Sequence, residues 1–318
     1  MKAVVITRPG GPEVLEYREV PDPVAGPEDL LIRVRATALN RADLLQRMGG
    51  YPQPGPKPAF EIPGLEYAGE VVAVGERVEG FALGDRVMGL LAGGGYAELV
   101  ATHYRLAVKV PDVLSWEEAG ATPEVFITAH DALLQCGLVA GERVLIHAAG
   151  SGVGVAAIQV AKVMGASLVA GTAGSAEKLA RAAELGLDLG INYREQDVLQ
   201  EVRRATGRRG VDVVLDHVGA ATWETSIKAL APGGRLTVCG ATSGPQTQVD
   251  IRYIYARQLT IVGTWVGTQA EMREVLRLIQ RRRFVPVVYT VLPLEEAAEA
   301  HRIVEESRHF GKVVLQVT

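Results

Sequence analysis

The segment Val144-Leu-Ile-His147-Ala-Ala-Gly-Ser-Gly-Val-Gly154-Val-Ala-Ala-Ile-Gln159 constrains the chain more than any other. A short apolar strand runs into a turn of small residues, and a helix follows. Small residues let backbone approach a pyrophosphate, and a helix N-terminus offers unpaired N–H groups with partial positive charge. The literal G-x-G-x-x-G spacing is not met: Ala149, Ser151 and Gly154 hold the three positions, with Gly152 extra. A ligand-free β–α turn is the plain alternative, but a strand before and a helix after favour a dinucleotide site.

The next strand bears on which dinucleotide. NAD enzymes carry an Asp or Glu about 20 residues on, for the ribose 2′-hydroxyl. Nineteen residues after Gly154 stands Ala173, in Gly171-Thr-Ala-Gly-Ser-Ala-Glu-Lys178. No carboxylate is there to repel a 2′-phosphate, Ser175 can donate, and Lys178 can supply charge. The pattern favours NADPH, with a solvated helix lysine as the plain reading of Lys178.

Around this segment the chain changes style twice. The first 110 residues read as short β-branched strands bounded by Gly and Pro: Lys2–Ile6, Val14–Val20, Leu30–Ala38, Tyr67–Val74, Asp85–Leu91 and Tyr96–Ala101, with one helix at Ala42–Met48. This predicts an irregular β barrel or sandwich. Ser115-Trp-Glu-Glu118 is a helix-start signature. Beyond it six short strands alternate with helices up to Gly263, the mark of a doubly wound parallel sheet. Two helices (Gln269–Arg281, Leu294–Glu306) and two strands (Val287–Val291, Lys312–Val317) end the chain. They are assigned to the β-rich part, which needs closing. The expected fold class is therefore α/β: a Rossmann domain, 118–264, inserted in a split β-rich domain, 1–117 and 265–318.

Composition removes other classes. The net charge is −4, a poor field for nucleic acid. There is no run of 18 apolar residues and no signal-peptide pattern, so a cytoplasmic protein without a membrane span is expected. Cys136 and Cys239 are the only cysteines, too few for a disulfide framework or a cysteine-built zinc site.

Several motifs then occur in a recognisable order: Ala38-Leu39-Asn40-x-x-Asp43, Gly50-Tyr51-Pro52, Pro63-Gly-Leu-Glu66-Tyr-Ala-Gly69, the turn at 147–154, Asn192-Tyr193-Arg194-Glu195 and Asp216-x-Val218-Gly219. Over its full length the chain resembles the medium-chain dehydrogenase/reductase superfamily, and within it the zinc-independent, zeta-crystallin-like quinone oxidoreductases. One departure is Ser151, where that pattern has Gly. The resemblance implies a GroES-like catalytic domain around the Rossmann insertion, and roles by matched position. Asn40 and Thr128 would face the nicotinamide. Gly150, Ser151, Gly152 and Val153 would lie at the pyrophosphate. Thr172, Ser175, Lys178, Tyr193 and Arg308 would line the adenosine 2′-phosphate side. Val218, Gly240, Ala241 and Thr264 through Val266 would line the nicotinamide side. Asn40 and Tyr51 are the catalytic candidates, though Tyr51 serves equally well as an aromatic pinning its Pro-rich loop. A homodimer joined through the 257–264 edge strand is implied.

The metal expectation follows from the same matching. Zinc members carry Cys where Asn40 stands and His where Leu65 stands, and their third ligand aligns near Glu124. Without zinc, taking a proton from an alcohol faces a pKa near that of water, about 15.7. Hydride addition to a quinone leaves a phenolate-like anion, whose acid has a pKa of about 10. A metal-free site thus suits quinone reduction, then reduction of enones or enoyl thioesters, and last a non-catalytic structural or RNA-binding role. Among the histidines, His147 reads as a satisfied core residue, His217 as a loop residue and His130 as unassigned. Arg281-Arg-Arg283 reads as a solvated helix end.

Overall fold

A computed structural model describes residues 1–51 and 58–318; the stretch 52–57, including Pro52 of the Gly50-Tyr51-Pro52 motif, lies outside the described residues. The chain divides into two compact units, Met1–Glu124 with Pro286–Thr318, and Val125–Val285.

In the first unit β1 (Lys2–Ile6) and β2 (Leu15–Glu19) form an antiparallel ribbon. Then come β3 (Asp29–Ala38), α1 (Arg41–Arg47), β4 (Glu66–Val74), β5 (Arg86–Leu90), β6 (Leu99–His103), β7 (Ala107–Lys109) and α2 (Trp116–Gly120). The ten-residue β3 organises this unit. Leu30, Ile32 and Val34 alternate into the core while Arg33 points out. From Ala36 to Ala38 every residue is buried, because α2 covers the second face: a Cβ on Gly120 would lie 2.9 Å from the Ala36 side chain. One edge of β3 pairs with β4, and the other is shared between β6 and the C-terminal strand. Each fully buried Val, Leu or Ile of that core contributes about 1.5–3 kcal/mol.

The second unit holds α3 (Pro123–Gln135), β8 (Arg143–Ile146), α4 (Gly152–Val163), β9 (Leu168–Ala173), α5 (Ala176–Glu184), β10 (Leu189–Asn192), α6 (Val198–Ala205), β11 (Val211–Asp216), α7 (Trp223–Ala229), β12 (Leu230–Val238), α8 (Ile251–Ala256), β13 (Thr260–Gly263) and α9 (Gln269–Gln280). Its six strands are all parallel, in the order β10-β9-β8-β11-β12-β13. Strand order reverses between β8 and β11, and ligands of such sheets bind at the carboxyl ends beside that point. The chain then returns to the first unit with β14 (Val288–Pro293), α10 (Ala297–Glu305) and β15 (Lys312–Gln316), where β15 pairs antiparallel to β3.

The unit boundaries differ from the 117/118 and 264/265 expected. Glu124 stays with the first unit, its N–H donating to Glu66 Oε2 at 2.9 Å. Residues 265–285 stay with the second. A Cβ on Gly267 would meet Ile127 at 2.4 Å, Phe284 stacks on Phe126 at 5.3 Å, and the Gln159 amide pairs with both backbone groups of Val285. Closure of the β-rich unit is done by β14, α10 and β15, and α9 is not needed for it. Three elements were not anticipated: β7, α8 and the thirteen-residue α3. In α3 the β-branched Val125, Ile127 and Thr128 dilute the helical signal. Strand β6 starts three residues later than expected. Tyr96 is fully buried and its carbonyl takes the Val4 N–H, which holds that stretch outside the ladder.

Candidate functional site

In the second unit the turn after β8 is shaped by backbone and by two hydroxyl side chains. Ala148 adopts a left-handed φ of 48°, and the Ser151 N–H closes back on Ala148 O at 2.9 Å. Gly154 is obligatory there: a Cβ would lie 2.2 Å from Ala148 O. Ser151 caps α4, its Oγ accepting the Gly154 N–H at 3.0 Å. The first helical N–H groups, Gly152 and Val153, have no partner that helix geometry can supply. Thr172 buttresses the turn: its hydroxyl lies 3.3 Å from the Ala148 N–H and 3.2 Å from His147 Nδ1, and its carbonyl takes the Ala149 N–H. Its hydrogen-bonding groups serve the protein, so Thr172 supports the cradle more than it lines it.

Ser151 also lies 2.9 Å from His217 Nε2. Burial lowers the His217 pKa to about 4 against the pull of Asp216, so its imidazole is neutral. The Ser151 hydroxyl, which accepts from Gly154, still has its proton and a second lone pair, so it can donate to Nε2 or accept from it as the tautomer dictates. The His217 Nδ1 is buried with no partner among the described residues. The loop-residue reading of His217 is thereby corrected: it joins the carboxyl ends of β8 and β11. The visible signal was Ser151 itself, the one departure from the glycine pattern. His147, by contrast, is only half satisfied, its Nε2 being buried and unpartnered.

Asp216 holds the neighbouring turn. It accepts from the Val218 and Gly219 N–H groups and from the Thr222 and Ser226 hydroxyls. Burial alone would raise its pKa, but His147 and these donors keep it below the usual carboxylate range. Val218 donates to Asp216 and its carbonyl accepts from Ser243, so only its side chain is left for a ligand. Gly240 lies close over His217: a Cβ would sit 3.0 Å from His217 O. Ala241 follows in the same loop and its carbonyl takes the Gly244 N–H. Beyond β13, the Thr264 hydroxyl is buried and unpartnered, and Val266 is held at a φ of 53°, a costly conformation for a β-branched residue. Thr128 is buried on α3.

The 2′-phosphate candidates converge at the ends of β9 and β10. Ser175 caps α5 and accepts the Lys178 N–H. A Cβ on Gly174 would lie 2.8 Å from Tyr193 Oη and 3.1 Å from Arg194 Nε, so both side chains lie over that backbone. The Lys178 pKa is lowered, first by burial and then by the charge of Arg194. Two cations held this close suit a doubly charged anion. Arg194 was missed, although it stands inside the Asn192-Tyr193-Arg194-Glu195 motif. Arg308 is placed differently: it belongs to the first unit, where Glu299 and Glu306 take its guanidinium.

The first unit offers buried charge instead. Asn40, at the start of α1, is 6% exposed, and Glu66 and Lys312 are 0% and 3% exposed. Lys312 Nζ lies 2.5 Å from Asn40 Oδ1 and 2.8 Å from Glu66 Oε1, and Asn40 Nδ2 donates to Glu66 Oε1 at 2.9 Å. Asp43 accepts from the N–H groups of Asn40 and Gly64 and from Tyr96 Oη. Burial pushes its pKa up to about 7, opposed by the Asn40 N–H and Lys312. Behind it the fully buried Arg47 donates to Gly10 O and His301 Nδ1 and pairs with Glu305. Tyr51 is half-buried just past α1.

These donors do not fit zinc. The matched positions hold a carboxamide, the donorless Leu65 and a single carboxylate, Glu124. A buried ammonium is bonded to Asn40 and repels a dication. The described residues contain no group of three His, Cys, Asp or Glu able to hold a metal. A dinucleotide does fit the second unit, by the glycine clearance at Gly154, the free helix N-terminus, and the orphaned His217 Nδ1 and Thr264 hydroxyl.

Residues 26–112 match the alcohol dehydrogenase GroES-like domain, and residues 152–281 match the zinc-binding dehydrogenase family. Two units of this kind, with these sites, define a medium-chain dehydrogenase/reductase, and so an oxidoreductase. The chain is 37% identical to a quinone oxidoreductase of Pseudomonas aeruginosa, covering 96% of each protein. The structure of Escherichia coli quinone oxidoreductase complexed with NADPH superposes with a TM-score of 0.90 at 30% identity, covering 99% of this chain and all of that one. A structure described as an NAD-dependent alcohol dehydrogenase superposes with a TM-score of 0.94 at 42% identity, each chain fully covered. Within the superfamily, this chain belongs to the quinone oxidoreductase family.

Proposed function

We propose that the protein is an NADPH-dependent quinone reductase that works without a metal. The observation that carries this reading is the Asn40–Glu66–Lys312 cluster, in which an ammonium is bonded to Asn40, one of the matched metal-ligand positions. NADPH, when bound, supplies a hydride, and a quinone that takes it up becomes a phenolate-type anion needing no Lewis acid. Gly152 and Val153 N–H groups hold the pyrophosphate. Lys178, Arg194, Tyr193 and Ser175 hold the 2′-phosphate. Glu66 and Ala38 take the Asn40 amide hydrogens and Lys312 binds its Oδ1, which fixes the carboxamide in one orientation. Tyr51 flanks the acceptor, and water delivers the proton to the quinol oxygen. Catalysis is then mainly positioning, which suits two flat partners.

The deciding experiment follows NADPH and NADH oxidation over quinones, enones, enoyl thioesters and simple carbonyls. Quinones with NADPH are expected to give the highest kcat/KM. Faster turnover of enoyl thioesters, or a preference for NADH, sinks the corresponding half of the proposal. A homodimer belongs to the same reading. Strand β13 is one of the two edges of the parallel sheet, and Ile261 on it, with Ile251 and Tyr255 on α8, is exposed. An unpaired apolar edge invites pairing with its own copy, and light scattering tests it.

A further inference from the structure

Lys312 opens β15, yet its ammonium is buried in the first unit. An ammonium has three donors and no acceptor. Here all three meet oxygens: Leu39 O at 2.6 Å, Asn40 Oδ1 at 2.5 Å and Glu66 Oε1 at 2.8 Å. Both Glu66 oxygens are engaged as well, the second taking the Glu124 N–H. Between them lies the Asn40 carboxamide. The ammonium can face only its oxygen and the carboxylate only its nitrogen, so the amide cannot flip. A neutral neighbourhood would accept either orientation; this one accepts a single one.

We propose that Lys312 is a positioning residue for acceptor reduction, an internal cation that locks the Asn40 carboxamide in one orientation. This rests on the reading of Asn40 as the group that meets the acceptor or the nicotinamide. A corollary concerns cations. Removing the side chain but not the oxygens leaves a hole lined by Leu39 O, Asn40 Oδ1 and Glu66, suited to a small cation that carries N–H donors. The rival account is that Lys312 merely neutralises Glu66 and has no bearing on Asn40.

The test uses the full chain and two variants, read by thermal melting and by NADPH oxidation with 1,4-benzoquinone. Lys312→Ala strands the Glu66 charge and is expected to lower the melting temperature by roughly 10 °C and kcat by about a hundredfold, the size a misplaced group costs. Ethylammonium should restore part of both, saturably, and tetramethylammonium, which has no N–H, should restore neither. The double variant Lys312→Met with Glu66→Gln removes both charges. Its melting temperature should return close to that of the parent while kcat stays low, since nothing then orients Asn40. Recovery of kcat together with stability would overturn the proposal in favour of simple neutralisation. So would equal rescue by the two ammonium salts, or none in a folded Lys312→Ala protein. Should Lys312→Ala not fold, the double variant decides alone. A parent protein inert toward quinones refutes the quinone reading only; the clamp is then judged by whether ethylammonium alone raises the melting temperature of Lys312→Ala.

Discussion

The two units prepare for a ligand in opposite ways. The second relies on what is missing: no Cβ at Gly154, no carboxylate at Ala173, and N–H groups that α4 cannot pair. Its most buried carboxylate, Asp216, sits at the end of β11 and is held by backbone and hydroxyl donors, while Lys178 and Arg194 lie at strand ends nearer solvent. The first unit buries Asp43, Arg47, Glu66 and Lys312 at or below 3% exposure and ties them together. A backbone cradle tolerates exchange of most side chains around it but not an added methyl at its closest approach. A buried charge network tolerates added bulk poorly and loss of one partner worse, because the remaining charge stays desolvated.

The sharpest way to break this contrast is Glu66→Ala. It strands the Lys312 ammonium in the interior and is expected to destabilise the protein by about 3–5 kcal/mol, read as a lowered midpoint in urea. A loss below about 1 kcal/mol, the level of a surface pair, would show that the network is hydrated and that the contrast between the units is false.

Next in size is the pH response of Asp43. Its folded pKa, about 7, lies above its unfolded value. The native state therefore holds the proton over a range where the unfolded state has released it, and stability falls as pH rises from about 4 to about 7. Asp43→Asn should flatten that slope. An equal slope in parent and variant would assign the titration elsewhere.

In the second unit the matching change is Lys178→Ala. It should weaken NADPH by about 1.5–3 kcal/mol, the range for a charge-assisted contact, with NADH little affected and folding stability unchanged. Equal losses for both cofactors would remove Lys178 from the 2′-phosphate site. Arg194→Ala is expected to behave alike, since the two cations share one anion.

The smallest effect is expected at Tyr51. Tyr51→Phe keeps the ring, and quinone turnover should fall less than about tenfold, roughly 1.4 kcal/mol. A loss beyond a hundredfold at unchanged NADPH affinity would make Tyr51 a proton donor, as carbon protonation of an enolate requires, and would favour the enoyl-type reaction.

What was legible in the sequence was local. The strand–turn–helix at 144–159, the capping box at Ser115 and the alternation of six strands with helices follow from neighbours a few residues apart. Periodicity and turn chemistry act over that range, so one chain suffices to read them. Asn40 and Lys178 became candidates through motif position, and Arg194 stood unread in a motif already noted. The misplaced border at 264/265 came from a long-range fact, the packing of Phe284 on Phe126 and of Gly267 on Ile127. The same holds for the chemistry. Ser151 meets His217 across 66 residues and Lys312 meets Asn40 across 272. No local pattern marks such pairs, because each residue taken alone is an ordinary loop histidine or strand lysine. The sequence by itself determined most of the strands, turns and helices, though not β7, α8 or α3, and that a dinucleotide-type turn would be among them. Only the tertiary structure decided which charges would be buried together. Desolvation and pairing arise when β15 closes against β3 and brings a lysine from the end of the chain to an asparagine near its start.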